Sequence, residues 1–225
     1  MREVRIIGTA HVSKKSVEEV ERAIRDFQPD VVAVELDLMR FRALADNREL
    51  RFREVLSRGN LNFLTLFSAI LTHLQRRIGE DFGIKPGEEI LRAVKIAQEV
   101  GAAVYFIDRP LEITFRRLWK QMSLREKLKL FLMLIFSFSF RRKIDVESMK
   151  QEEIASALIE ELRKISPSVS RVLVDERDAY MASMLLKVPE DKRILAVVGA
   201  AHVRGIKDYL QNPEKIPNLE DLLKY

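Results

Sequence analysis

The sequence predicts an α/β fold, a single domain built around a central and mostly parallel sheet. Four short apolar runs of the kind that form buried strands alternate with segments whose apolar residues recur at helical spacing. No low-complexity linker divides the 225 residues, a length at which one domain with a sizeable core is expected. The predicted strands are Val4–Ile7, Val31–Val34, Ala103–Ile107 and Ile194–Val198.

A predicted helix joins the first two strands. Ser16 and Glu19 have the spacing of a capping box, and Pro29 follows the last apolar position of the helix. The apolar face of this helix comprises Val17, Val20, Ile24 and Phe27. Because strand–helix–strand units normally have parallel strands and a right-handed crossover, we expect both features here.

Helical patterns also fill the connections between the later strands. One helix is predicted to begin at Pro86-Gly87-Glu88 and to stop at Gly101, and the last long helix is predicted to begin at Pro167. A short helix is predicted over Val203–Leu210. Two long, mainly helical insertions, 39–85 and 111–165, are expected to cover the strand ends, and residues 213–225 are read as a polar tail.

One short motif occurs near both ends of the chain. Gly8-Thr9-Ala10-His11 and Gly199-Ala200-Ala201-His202 each follow an apolar run, and each is followed by valine. The only other histidine, His73, lacks this context and is predicted to be a surface or half-buried helical residue. Two neutral imidazoles that leave neighbouring strands at one edge of a sheet can hold a metal ion or a reacting water.

Ionisable residues also follow the other two strands. Glu35 and Asp37 come after the second strand, and Asp108 and Arg109 come after the third. Ligands of open parallel sheets bind beyond the carboxyl ends of the strands, so we expect these side chains near the two histidines. Two histidines with carboxylates form a donor set for Zn, Mn, Co or Fe(II). Glu35 is either a ligand or the general base.

A further group of charges precedes the last strand. Glu176, Arg177 and Asp178 lie on a helix that is apolar over much of its surface, so we expect some of these charges to face inward. The alternative is a solvated helix face with local ion pairs.

Composition limits the classes of function. The chain has no cysteine, which excludes disulfides, thiolate metal sites and cysteine nucleophiles. Its net charge of +5 favours an acidic partner or a membrane surface. P-loop and GxGxxG patterns are absent, and the basic stretches match no nucleic-acid module, so no nucleic-acid partner is expected. The N-terminus does not resemble a signal peptide.

The most apolar run, 130–140, is too short to span a bilayer, which takes about 20 residues. Basic residues flank it on both sides. We expect this run either to be buried in a core or homodimer interface, or to belong to a helical segment, 116–143, that lies on an anionic membrane.

These motifs resemble those of the TraB/PrgY (pheromone-shutdown) family, which is related to Tiki-type metalloproteases and more remotely to erythromycin-esterase and ChaN-like proteins. The match includes both Gly-x-x-His motifs, the acidic position at Glu35 and the helical arginine at Arg177. Asp178 stands where the family usually has asparagine. Further matching segments are Val34-Glu35-Leu36-Asp37 with Arg40, Pro86-Gly87-Glu88, Ile107-Asp108-Arg109, and Glu176-Arg177-Asp178 with Met181-Ala182.

The resemblance implies a metal-dependent hydrolase of the peptidase type that prefers Mn or Co. It also implies that many relatives continue into C-terminal membrane helices, so the chain is expected to be cytoplasmic or membrane-tethered. Our hypothesis is therefore a hydrolase of peptide or similar amide bonds that uses a divalent ion, Mn, Co or Zn. The ion is held by His11, His202 and Glu35.

Supporting roles are assigned to the remaining candidates. Asp37 or Glu176 would act as base or contact the ligands, Asp108 and Asp178 would also contact the ligands, and Arg177 or Arg109 would stabilise the developing oxyanion.

Three alternatives use the same residues differently. The first is a module that binds and sequesters a peptide signal without cutting it. The second is a haem or iron carrier that uses one histidine with Tyr180 or Tyr105. The third is a membrane-surface or partner-docking protein that works through 116–143.

Overall fold

The centre of the structure is a parallel sheet of four strands. The computed structural model describes residues 3–9, 14–45, 88–129, 159–160, 162–164 and 166–225. The strand order is β1-β4-β2-β3, and every pairing is parallel. The strands are β1 (Glu3–Thr9), β2 (Val31–Val34), β3 (Ala103–Phe106) and β4 (Arg193–Gly199).

Helices connect the strands, as the sequence predicts for an α/β domain. The longest helical run of the described residues, α5 to α6, contains a π-helical segment. The α-helices are α1 (Lys14–Phe27), α2 (Leu38–Ala45), α3 (Glu88–Glu99), α4 (Leu111–Gln121), α5 (Pro167–Ser170), α6 (Glu176–Leu186), α7 (Ala200–Gln211) and α8 (Leu219–Leu223). The π-helical segment is Arg171–Asp175, and a 3₁₀ turn covers Pro213–Lys215.

The sheet is covered by helices on both faces, and successive residues of β4 point to opposite cores. Leu195 and Val197 pack with α1 and α3, whereas Ala196 and Val198 pack with α6 and α7. All four residues of β2 are buried, as expected for a parallel strand between two helical layers. This layered α/β architecture confirms the predicted fold class.

The strand order places β4 between β1 and β2. Thr9 at the end of β1 is paired with Gly199 at the end of β4, and Val34 at the end of β2 is paired with Val197. The carboxyl ends of the strands therefore lie at one edge of the sheet. The two strands of the predicted strand–helix–strand unit are parallel, but they are not neighbours.

Two local predictions about helix starts are wrong. Helix α1 begins at Lys14, so Ser16 is a buried residue within the helix and not its cap. Helix α7 begins at Ala200, so His202 lies in its first turn and not in the strand exit before it. In both cases the helix extends further toward the N-terminus than the apolar periodicity indicates.

A capping box does occur within the predicted helical insertion 111–165. After α4, the Ser123 amide donates to Glu126 Oε2 at 2.8 Å, and the Glu126 amide donates back to Ser123 Oγ at 3.2 Å. This box opens the helical residues 124–129. Glu126 Oε1 also accepts from the amide of Ser168 at 3.0 Å, which ties this turn to the start of α5.

Several predictions fall on residues outside the described ranges. Among them are His11, His73, the apolar run 130–140, and most of the insertions 39–85 and 111–165. Of the described helices, none is long and apolar enough to cross a membrane. The predicted polar tail contains the folded helix α8, whose Leu222 is buried.

Candidate functional site

Arg177 is the centre of a buried charge cluster at the carboxyl edge of the sheet. It is the second residue of α6, and Asp108 follows β3. Nε and Nη2 of Arg177 donate to the two carboxylate oxygens of Asp108 at 2.9 Å each, a bidentate pair. Nη2 also donates to Glu35 Oε1 at 2.5 Å. The guanidinium thereby joins the ends of β2 and β3 to helix α6.

His202 completes this cluster from the first turn of α7. Its Nδ1 lies 2.5 Å from Oδ1 of Asp178, the residue that follows Arg177 on α6. Its Nε2 lies 3.3 Å from Glu35 Oε1 and 3.1 Å from Nη1 of Arg177. The Asp178 carboxylate favours a proton on Nδ1 and fixes the orientation of the ring. Nε2 is therefore the ring atom that faces the other site residues.

The pKa values of this pair reflect burial and neighbouring charge. Burial opposes the charged imidazolium, but the carboxylates of Glu35 and Asp178 outweigh it and raise the pKa of His202 to about 9. Burial raises the pKa of Asp178 to about 6, against the lowering effect of His202. Arg177 and a protonated His202 thus alternate with three carboxylates, those of Glu35, Asp108 and Asp178. This alternation lets so many charges share a buried site.

Glu35 is held by the backbone as well as by side chains. Its Oε2 accepts from the amide of Gly199 at 2.6 Å, at the junction of β4 and α7. This junction is a helix N-terminus, where a negative charge is favoured. Oε1 is left to face Arg177 and His202.

Asp37 caps the N-terminus of α2. Its Oδ1 accepts from the amides of Met39 at 2.9 Å and Arg40 at 3.0 Å. Its Oδ2 is buried and has no hydrogen-bond partner among the described residues. Burial raises the pKa of this carboxyl. Oδ1 of Asp37 therefore caps α2, whereas Oδ2 accepts none of the described hydrogen bonds.

Arg109 and Glu176 form a second cluster, separate from the one around His202. Arg109 is fully buried; its Nη1 donates to Glu176 Oε2 at 2.7 Å, and its Nη2 donates to the carbonyl of Val172 at 2.9 Å. Glu176 also accepts two hydrogen bonds from Arg117, at 2.7 and 2.9 Å. Although burial opposes this, the two arginines lower the pKa of Glu176 to about 2. Each residue of the pair Asp108-Arg109 thus binds one residue of the pair Glu176-Arg177. Asp108 binds Arg177 in the first cluster, and Arg109 binds Glu176 in the second.

Gly8, which begins the first Gly-x-x-His motif, packs against residues of the second. A Cβ atom at Gly8 would lie 2.8 Å from Val203 and 3.1 Å from the Ala200 backbone, residues that flank His202 on α7. Only glycine permits this approach of β1 to α7 without a rearrangement. His11, three residues beyond Gly8, lies outside the described residues, so the structure gives no distance between His11 and His202.

The structure therefore brings together five of the predicted site residues, Glu35, Asp108, Arg177, Asp178 and His202. Within the described ranges, no three histidine or acidic side chains are arranged to hold one metal ion. Tyr180 on α6 is half-buried, and burial raises the pKa of its hydroxyl, whereas Tyr105 on β3 is 39% exposed. Among the described hydrogen bonds, neither tyrosine contacts His202.

Residues 2–216 match the model of the TraB/PrgY/gumN family. The chain belongs to this family. Three relatives show the extent of the similarity. An uncharacterized protein of Methanocaldococcus jannaschii is 43% identical over 217 residues, which is 94% of this chain and 54% of that protein. TraB domain-containing proteins of Bos taurus and Homo sapiens are each 32% identical over 231 residues, which is 91% of this chain and 61% of each protein. The chain therefore spans between about half and three fifths of the length of these relatives.

Two further residues of this TraB/PrgY/gumN chain, Arg40 and Gly205, contribute to the site, although the sequence motifs predict no role for either. Arg40 on α2 approaches Asp108 Oδ2 at 3.5 Å. Gly205 on α7 leaves room for the Asp178 carboxylate, since a Cβ atom there would lie 1.9 Å from Asp178 Oδ2. The sequence does contain a signal for Gly205. A glycine inside a helix costs about 1 kcal/mol relative to alanine, so its presence indicates a packing reason.

Proposed function

We propose that this chain is a metal-dependent hydrolase of peptide or similar amide bonds, with the ion held by His202, Glu35 and His11. The observation that carries the proposal is the line of contacts from Asp178 through His202 to Glu35. A carboxylate that orients one ring nitrogen and leaves the other for an ion is the usual arrangement of metal-binding histidines. His202 Nε2 and Glu35 Oε1 are 3.3 Å apart, a spacing that suits two ligands of one ion at about 2.1 Å each.

Arg177 competes for the same two atoms. Its guanidinium contacts both His202 Nε2 and Glu35 Oε1, so an ion there would replace these two contacts. The bidentate pair with Asp108 would still hold Arg177 beside the site. The donor set thus fits a divalent ion, provided that the guanidinium yields its contacts with those two atoms and that the ion displaces the proton from Nε2 of His202.

The chemistry divides between the ion and the protein. When bound, a divalent ion would acidify a water and polarise the carbonyl of the scissile bond. Asp178 would keep the imidazole of His202 oriented, and the Gly199 amide would keep the carboxylate of Glu35 in place. Arg177, held by Asp108, would stabilise the negative charge that develops on the carbonyl oxygen.

The remaining candidates receive narrower roles in this proposal. Arg109 donates to groups of the protein and is fully buried, so Arg177 is the better oxyanion-stabilising residue. Glu176 is bound by two arginines, so its expected role is structural. Glu35, if it is not a ligand, and Asp37, through its free Oδ2, are the candidates for the base.

Metal content tests the proposal directly. Protein stripped with a chelator and then reloaded with Mn, Co or Zn should take up about one ion per chain, measured by plasma mass spectrometry. The double variant His11→Ala/His202→Ala should lose this uptake, and His73→Ala is the matched control that should keep it. Unchanged metal content in the double variant would refute the assignment.

A second candidate function is sequestration of a peptide without turnover. It is favoured by the contacts of Arg177 with Glu35 Oε1 and His202 Nε2, which occupy the two atoms that a metal would need. Turnover of a quenched fluorescent peptide library by metal-loaded protein separates the two functions. Peptide binding without metal uptake or cleavage supports the second.

A further inference from the structure

Strand β1 has a free edge. It pairs with β4 from Glu3 to Thr9, and among the described strands it has no other neighbour. In a parallel pair, every second residue of such a strand points its amide and carbonyl away from the partner. Most β1 residues are partly exposed, in contrast to the buried β2. Within the described part of the chain, the edge from Glu3 to Gly8 therefore offers backbone groups that no other strand pairs with.

A groove of about 490 Å³ runs along this edge. Its floor includes Ile6 and Ile7 of β1, one of which packs toward each face of the sheet. Its walls come from helices on opposite faces, with Arg22 and Asp26 of α1 on one side and Lys207 of α7 on the other. A fifth strand of the sheet would lie in this space, beside β1 and between the two helical layers.

The charges in the groove favour an acidic occupant. Arg22 and Lys207 are exposed, and among the described residues neither has an ion-pair partner. The groove also contains Arg5, Glu19 and Asp26, so basic residues outnumber acidic ones by three to two. Because the side chains of a strand alternate between faces, two adjacent acidic residues of an added strand would point one toward Arg22 and the other toward Lys207.

The groove also leads toward the candidate site. Thr9, the last residue of β1, is paired with Gly199, whose amide binds Glu35. Gly8 lies against the residues that flank His202. A chain segment that follows β1 toward its carboxyl end is thus brought to the edge of the sheet where Glu35 and His202 lie.

We propose that the free edge of β1 binds an extended, acidic segment of polypeptide by strand addition and directs it to the His202–Glu35 site. The fate of the segment at that site rests on the proposed hydrolase function, whereas its binding does not. Backbone pairing supplies affinity in this mode of recognition, and the charges at Arg22 and Lys207 supply selectivity.

The affinity of one defined probe tests the binding step. The probe is a fluorescein-labelled, acetylated octapeptide of sequence Thr-Val-Thr-Glu-Glu-Thr-Val-Thr, and its twin has lysines in place of the two glutamates. By fluorescence polarisation, the acidic probe should bind more tightly than the lysine twin. Arg22→Glu and Lys207→Glu should each weaken binding by about two- to fivefold, and Arg204→Glu, an exposed reversal on the same helix α7, should not.

Amide hydrogen exchange by NMR localises the probe. With the probe bound, exchange at the outward-facing amides of β1 should slow by about tenfold or more, while the other edge strand of the described sheet, β3, serves as the unaffected control. All measurements are repeated in His202→Ala, which should bind the probe equally well. Absence of cleavage by the metal-loaded native chain, with the probe still bound, would count against the hydrolase and leave the strand addition intact, whereas loss of cleavage in His202→Ala alone would support the hydrolase.

Four outcomes would overturn the inference: no binding of the acidic probe, equal affinity for the lysine twin, binding that Arg22→Glu and Lys207→Glu leave unchanged, or binding without protection of β1. Protection of β1 that rises with protein concentration in the absence of probe would assign the edge to a second copy of the chain and would also overturn it.

Discussion

The carboxylate of Asp178 occupies the space that a side chain at Gly205 would need. A Cβ atom at residue 205 would lie 1.9 Å from Asp178 Oδ2, while Oδ1 of the same carboxylate lies 2.5 Å from Nδ1 of His202. Helices α6 and α7 can therefore approach closely enough for this contact only because residue 205 has no side chain. The orientation of the imidazole therefore depends on the absence of a side chain at residue 205.

Gly205→Ala should displace Asp178 from His202. Overpacking of this kind costs about 1–3 kcal/mol of unfolding free energy, partly offset by the higher helix propensity of alanine. The measurements are urea unfolding and the NMR shifts of the His202 ring. Gly101→Ala is the matched control, because Gly101 has φ +76 and open space around it, so stability should fall there without any change at His202. In an Asp178→Ala background the effect of Gly205→Ala should largely disappear, and persistence of the full effect would contradict this account.

Arg177→Lys should destabilise the protein by about 3 kcal/mol. Lysine cannot form the bidentate contact with Asp108, so it leaves buried carboxylate oxygens without a hydrogen-bond donor. Denaturant unfolding measures the change. Arg163→Lys is the control, since Arg163 is 44% exposed and pairs with Glu160 and Asp175 at the surface. Its effect should stay below about 0.5 kcal/mol. Equal losses in the two variants would mean that burial of the Arg177 cluster adds nothing to its stability.

Acid should remove the contribution of Glu176 to stability. The pKa of this carboxyl is lowered from 4.5 to about 2 in the folded protein, so its contribution is present above pH 4.5 and is lost as the pH falls toward 2. The difference in unfolding free energy between the native chain and Glu176→Gln should therefore shrink by about 3 kcal/mol between pH 5 and pH 2. Glu112→Gln, at an exposed pair with Arg116, should show a small difference over the whole range. A difference for Glu176→Gln that grows on acidification would have the wrong sign.

The helical residues 124–129 should contact anionic membranes. Leu124 and Leu128 are 81% and 57% exposed, one helical turn apart, and basic residues surround them. Co-sedimentation with vesicles of phosphatidylserine and phosphatidylcholine should be reduced in Leu124→Ser/Leu128→Ser and in high salt. Val17→Ser, on the partly buried face of α1, is a control for general loss of hydrophobicity. Equal sedimentation with uncharged vesicles would show that electrostatic attraction does not contribute to membrane binding.

Much of the sheet was predictable because its two central strands, β2 and β4, are buried on both faces. Val31–Val34 has the predicted bounds, and β4 extends the predicted Ile194–Val198 by one residue at each end. The strand order was not predictable, because local apolar patterns do not say that β4 lies between β1 and β2. The proximity of Glu35, Asp108 and His202 could be expected from the rule that parallel strands end at one edge.

The partners within the site could not be predicted in the same way. The exchange of partners between Asp108-Arg109 and Glu176-Arg177 depends on the rotation of α6 relative to β3, which no local pattern specifies. The π-helical segment Arg171–Asp175 was also not predicted; the carbonyls of its Val172 and Leu173 accept from Arg109 and Arg177. Such segments often occur at functional sites, but their sequences are those of ordinary helices.

Helix α8 is attached to the rest of the protein through its main-chain carbonyls. Arg109 donates to the carbonyl of Leu222 at 3.2 Å, and Arg117 donates to the carbonyls of Asp221 and Lys224. Main-chain oxygens exist whatever the side chain, so the exposed residues Asp221 and Lys224 can change while the anchor persists, whereas Leu222 is also constrained by its burial. Point substitutions at Asp221 and Lys224 would consequently have little effect, and only deletion of the segment would reveal how much the Arg109–Glu176 cluster relies on it.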